Sequence, residues 1–159
     1  MTTTASLLRK KTTMDEIVII AARTSNGLLA GVYFAFAVAI MPALHRLPDD
    51  VFASVMNEIN EVIVNPFFMI AFLGAPLTAL LVLRWDHGPL AVAAAGCAVV
   101  ALLVTAFGNI PLNNALADGG TRDAFETPWL IWHAVRTTAA IAAVVLVSMS
   151  ARVPLSSAG

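Results

Sequence analysis

Trp129, Trp132, His133 and Arg136 are the side chains best suited to chemistry in a stretch that is otherwise apolar as far as Met149. On a helix these four fall within one arc of roughly 100°. An imidazole titrates near neutral pH and can take an acidic C–H or O–H proton. A guanidinium nearly a turn deeper keeps its charge and can hold the enolate or phenolate that results. Charged groups in membrane spans are rare and turn toward the bundle interior or a polar cavity. His133 and Arg136 are therefore the catalytic candidates. Plainer readings stand beside them: a histidine bonded to a loop carbonyl, and an arginine snorkelling to headgroups from a span's end.

Four further residues are candidates for holding a substrate. Asn109 and Asn113 flank Pro111, and an amide offers both donors and an acceptor to a phenol or carbonyl. The local alternative is that they satisfy carbonyls at a helix end. Trp132, beside His133, can wall an aromatic molecule, whereas Trp129 suits an interfacial aromatic belt. Asn60 sits at the border of an amphipathic segment and can face inward, while Asn65 fits an N-cap and Asn57 and Glu61 a solvated face.

No metal site is expected from protein ligands alone. The histidines are His45, His87 and His133, the one cysteine is Cys97, and none of them forms a ligand-spaced motif. The cofactor stays open: none, or a haem or metal on His45 or His133, which are expected at the same end of the molecule.

The elements that must position these residues follow from composition. With 59% hydrophobic residues, 12% charged and a mean hydropathy of +0.84, the chain lies outside the range of soluble domains. Runs this apolar cannot all be hidden in the core of 159 residues, so an integral membrane protein of one domain is expected. A net charge of −1 leaves no basic surface for nucleic acid. The expected partners are the bilayer and a hydrophobic small molecule, with a homo-oligomer left open.

The expected fold is all-α: a four-transmembrane-helix bundle with spans at about 17–44, 67–83, 90–107 and 129–149. Residues 1–16 are expected as a disordered basic tail, 17–150 as the membrane domain and 151–159 as a C-terminal tail. Asn65-Pro66 and Thr127-Pro128 each read as a helix opening, and His87-Gly88-Pro89 as a tight turn. Ile110-Pro111 reads as the end of span three, leaving a polar connection over 109–127.

Residues 49–64 alternate as an amphipathic interfacial helix, lying on the membrane or folded over the mouth of the bundle. Gly27, Gly31, Ala35 and Ala39 make a small-residue stripe, read first as packing inside the bundle. Lys and Arg cluster before span one, at Arg84 and at Arg152, while the two long connections carry only Arg46 and Arg122. Both termini are therefore expected on the cytoplasmic side of the cell membrane. That topology brings His45, 57–65, Asn109, Asn113 and the start of span four to one end.

The sequence resembles a known family. Gly27-Leu-Leu-Ala-Gly-Val-Tyr-Phe-Ala-Phe36 with Met41-Pro-Ala-Leu44 is similar to the first span of the anthrone oxygenase-like family. So are Met56-Asn-Glu-Ile-Asn60 with Asn65-Pro-Phe67, Gly108-Asn-Ile-Pro-Leu-Asn113, and Trp129 through Trp132-His133 to Arg136. These are small four-span membrane proteins, and the resemblance covers about 25–147. It implies oxygen chemistry on a hydrophobic aromatic molecule, since fungal relatives oxidise anthrones to anthraquinones without a conventional organic cofactor. The expected function is a membrane oxygenase or oxidoreductase, an anthrone oxygenase-like monooxygenase, acting on a phenolic or anthrone-like molecule. The alternative is a non-enzymatic membrane module: a carrier, a lipid- or ligand-binding protein, or a partner subunit.

Overall fold

The computed structural model describes the backbone of residues 2–150 and side chains from residue 13 to 150. Helix α1 (Thr2–Ala35) continues through a π-helical turn (Phe36–Ile40) into α2 (Met41–Leu44). Then come α3 (Asp49–Ile63), α4 (Pro66–Val82) and α5 (Pro89–Val104). A second π-helical turn (Thr105–Asn109) leads into α6 (Ile110–Ala117), and α7 (Arg122–Ser150) closes the chain. The described residues form no strand, as the all-α expectation requires. Helix α1 takes in the segment expected as an N-terminal tail; the expected C-terminal tail lies outside the described residues.

Thr13–Leu44, Pro89–Ala117 and Arg122–Ser150 are each long and apolar enough to cross a membrane. The fourth candidate is the pair α3–α4, bent by 73°. Helix α1 packs on α4 and α7, and α5 packs on α7 and α4, so four long apolar helices close into a ring. Side chains join them where the apolar faces meet. Asn26 donates to the carbonyl of Ala75 at 3.0 Å, and Ser25 meets Thr78 at 3.1 Å.

Several boundaries follow the expected chemistry. Asn65 caps α4 by accepting from the Phe68 N–H at 3.1 Å, with Pro66 in the first turn. The α4–α5 turn is fixed by the Asp86 carboxylate on the Gly88 N–H at 2.9 Å. Helix α3 folds over one end of the bundle. Phe52 and Met56 are wholly buried there, in a cluster with Phe36, Met41, Leu44, Leu116, Phe125 and Trp129.

Three expectations are corrected. Span three does not end at Ile110: its backbone is helical at φ −61°, ψ −46°, and the helix runs on to Ala117. The π-turn explains why. Ile110 donates five residues back to Thr105, and Pro111 then opens α6 in the first turn, where its missing N–H costs little. The expected polar connection shrinks to a turn at Asp118–Gly120, with Gly119 at φ +92°, which favours glycine.

The helix of span four starts at Arg122 rather than at Thr127, with Pro128 inside it and the Thr121 hydroxyl on the Ala124 N–H at 3.4 Å. Pro128 lies past the first turn, so it takes away the one bond that an N–H there would give to the Ala124 carbonyl, and the helix runs on through it.

The small-residue stripe is not buried inside the bundle. Gly31, Ala35 and Ala39 are exposed, and a Cβ at Gly27 or Gly31 would touch nothing within 4 Å. Its spacing is right for close packing, but it lies on the outer side of α1.

Candidate functional site

Helix α7 buries one face: Phe125, Trp129, His133, Arg136, Thr137 and Ala140, at steps of three and four residues. Since the helix begins at Arg122, Arg136 lies midway along it and not near an end. Its exposure is 7%, so the snorkelling arrangement does not apply. The two indoles part company. Trp129 is 1% exposed, whereas Trp132 is 44% exposed and lies against Gly108 outside the cavity. Trp132 is therefore not the aromatic wall expected from its place beside His133. Trp129 takes that role, because its step of four to His133 follows the buried stripe.

His133 is held from both sides. Its Nε2 lies 3.0 Å from the carbonyl oxygen of Tyr33, and its Nδ1 accepts from Arg136 Nε at 3.0 Å. A guanidinium only donates and a carbonyl only accepts, so these partners fix the neutral tautomer with the proton on Nε2. Thr137 agrees: its hydroxyl hydrogen goes to the His133 carbonyl at 2.7 Å, leaving an oxygen lone pair 3.4 Å from Nε2. The imidazole stacks on Trp129 with centroids 4.6 Å apart and the planes 15° from parallel. It stands edge-on to Tyr33.

Arg136 is a buried cation among rings. Its guanidinium carbon lies 4.4 Å from the Tyr33 ring centroid and 5.1 Å from that of Trp129. Nη1 reaches Thr105 Oγ1 at 3.4 Å. Thr105 gives its own hydrogen to the Ala101 carbonyl at 2.8 Å, so its oxygen also accepts from the Tyr33 hydroxyl at 3.1 Å. Among the described residues, the ion pairs all lie elsewhere and none reaches Arg136. Glu61 is exposed, on the solvated face expected for it.

A second polar row crosses the cover. The Trp129 indole donates to Asn113 Oδ1 at 2.8 Å, and Asn113 Nδ2 donates to Asn60 Oδ1 at 3.1 Å. Asn109 is wholly buried and donates to the Trp129 carbonyl at 3.1 Å, inside α7 and not at the helix end that was the local alternative for it.

These groups enclose a cavity of about 220 Å³ between α1, α3, α4, α6 and α7. Its apolar wall includes Val32, Phe36, Phe68, Phe72 and Trp129; its polar points are Tyr33, Thr105, Arg136, Asn60 and Asn113. Ligand pockets commonly measure roughly 300–1,000 Å³, so this one suits a compact molecule. Of the six residues expected at the site, Arg136, Asn60 and Asn113 line the cavity, while His133, Asn109 and Trp132 do not. Tyr33, Thr105, Phe68 and Phe72 were not singled out in advance. The available signal was Tyr33, the single tyrosine of the chain, set in an apolar span.

His45 does not join His133. It lies at an exposed corner, 2.7 Å from Glu126, where Arg122 also meets Glu126, Asp49 and the carbonyls of His45 and Leu47. Among the described residues, no three His, Cys, Asp or Glu side chains come together as a metal site would need.

A family model described as anthrone oxygenase matches residues 52–146. The match takes in the cover, both amide residues of the row, and Trp129, His133 and Arg136, while Tyr33 and Phe36 precede it. No curated protein and no solved structure matches the chain.

Proposed function

Since the chain belongs to the anthrone oxygenase family, we propose that it is a membrane oxygenase acting on a hydrophobic phenolic or anthrone-like molecule. One observation carries this reading: an aromatic-walled cavity holding a guanidinium that has no carboxylate partner among the described residues. A flat ring system packs among Phe36, Phe68, Phe72 and Trp129. A substrate oxygen at Arg136 then meets a fixed cation in an apolar setting, where it counts for far more than in water. Val64, which lines the cavity and is 67% exposed, marks the side from which a lipid-dissolved molecule enters.

The chemistry needs little from the protein beyond that charge. An anthrone loses a methylene proton to water, and Arg136 stabilises the enolate that results. The electron-rich carbon adds dioxygen, forming a C–O bond, and the outer oxygen takes a proton back from water to give a hydroperoxide. The O–O bond and the remaining C–H bond then break, giving a carbonyl and one water. Four electrons leave the carbon and four reduce dioxygen, so no outside reductant enters. In this scheme His133 is a positioning residue, because its Nδ1 holds Arg136 Nε and turns the other guanidinium nitrogens toward Thr105 and the ligand.

The test is dioxygen uptake by detergent-purified protein supplied with anthrone. Arg136→Gln is expected to lower kcat/KM by about 10²–10³, the usual cost of losing a donor to a developing oxyanion. Turnover at the wild-type rate in that variant would end the proposal.

A second reading, a membrane module that binds such a molecule unchanged, draws on one fact. Among the described residues no His, Asp or Glu side chain lines the cavity, and both nitrogens of His133 are engaged within the protein. Anthrone binding without dioxygen uptake would select it. Under either reading the protein is proposed to be a multi-pass protein of the cell membrane with both termini cytoplasmic, on the distribution of Lys and Arg.

A further inference from the structure

The amide row that crosses the cover has a direction, and the direction is set by Trp129. An indole N–H can only donate, so Asn113 must turn its oxygen to Trp129 and its Nδ2 away. That Nδ2 needs an acceptor and finds the oxygen of Asn60. The last amide of the row therefore presents a donor, Asn60 Nδ2. This atom is buried and has no acceptor among the described residues. Asn60 borders the same cavity as Arg136, on a different helix. A buried donor left unpaired is destabilising until an acceptor reaches it.

We propose that Asn60 Nδ2 is reserved for a second oxygen acceptor on the ligand, distinct from the oxygen at Arg136, so that the pocket selects aromatic molecules with two such oxygens. This deepens the oxygenase reading and rests on it for the choice of ligand. An anthrone brings one carbonyl oxygen, and the oxidation described above adds the other. Asn60 is thus the donor for the oxygen that the reaction creates, and Arg136 for the one already present. Preorganised donors at a developing oxygen act on the reaction itself as well as on binding.

Two measurements test this without turnover. The first compares the affinity of the purified protein for anthraquinone and anthrone under nitrogen, by tryptophan fluorescence, in the wild type and in Asn60→Asp. That variant keeps an oxygen for Asn113 but replaces the free donor with an acceptor. The quinone-to-anthrone affinity ratio is expected to fall about tenfold or more, with anthrone affinity changing less than about threefold. An unchanged ratio overturns the proposal.

The second needs no variant and so survives a folding defect in Asn60→Asp. In the infrared spectrum of anthraquinone bound to wild-type protein, the whole carbonyl absorption should lie below the single band of the free compound, because both oxygens accept hydrogen bonds. A component left at the free frequency would overturn the role of Asn60 and leave the oxygenase reading standing. Failure to bind either compound would overturn both.

Discussion

Two tryptophans three residues apart have opposite fates. The Trp129 ring is buried, stacks on His133 and donates to Asn113; Trp132 is half-exposed. Trp129→Phe strips the donor from Asn113 Oδ1 and is expected to cost about 1–3 kcal/mol. Trp132→Phe should stay within about 0.5 kcal/mol of wild type, as exposed substitutions do. Thermal unfolding in detergent compares the two, and equal losses would contradict the placement. His133 and Arg136 were legible in the sequence because polar side chains in an apolar run must face something other than lipid. Which indole joins them was not, since a step of three and a step of four both stay on the same broad face. Only the neighbouring helices decide between them. Nor could the partner of Arg136 be read: it is an imidazole on its own helix.

At the scale of the helix, two segments carry the same device. In each, a π-turn ends two residues before a proline, Phe36–Ile40 before Pro42 and Thr105–Asn109 before Pro111. A π-turn is a single-residue widening that tends to sit at functional sites, and both turns here border the cavity through Phe36 and Thr105. The sequence rule that proline ends a helix failed at Pro111 because it assumes an α-helical partner for every donor. A five-residue reach changes that register.

The second π-turn also brings Gly108 against α7. A Cβ there would lie 2.7 Å from the Trp132 ring, nearer than real contacts come. Gly108→Ala is expected to destabilise by about 1–3 kcal/mol through overpacking. Adding Trp132→Ala should recover most of that loss, and a double-mutant cycle measured by thermal unfolding checks the coupling. Additive losses would mean that the contact is not the cause.

For the whole molecule, composition was enough to reach an all-helical chain with three to four candidate apolar spans. The bend between α3 and α4 was visible as Asn65-Pro66, and the amphipathic pattern of α3 as a helix that must cover something. What it covers became clear only with the bundle built, since Phe52 and Met56 find their partners on α1, α6 and α7. The proposed orientation predicts that the turn before α7 faces outward. In a Cys97→Ala background, Thr121→Cys should react with a membrane-impermeant maleimide added to intact cells. Reaction only after permeabilisation would invert the topology.

The place of Arg136, midway along a helix long enough to span the bilayer, has an electrical meaning. Moving one elementary charge across a membrane held at 100 mV changes its energy by about 2.3 kcal/mol. If the helix spans the bilayer, an anion arriving from water at a cation midway along it would cross about half of that drop, whichever face it came from. Its occupancy would then follow the voltage of the energised membrane, by roughly sevenfold per 100 mV. The pocket of a living cell and that of a detergent micelle would fill to different extents with the same compound at the same concentration.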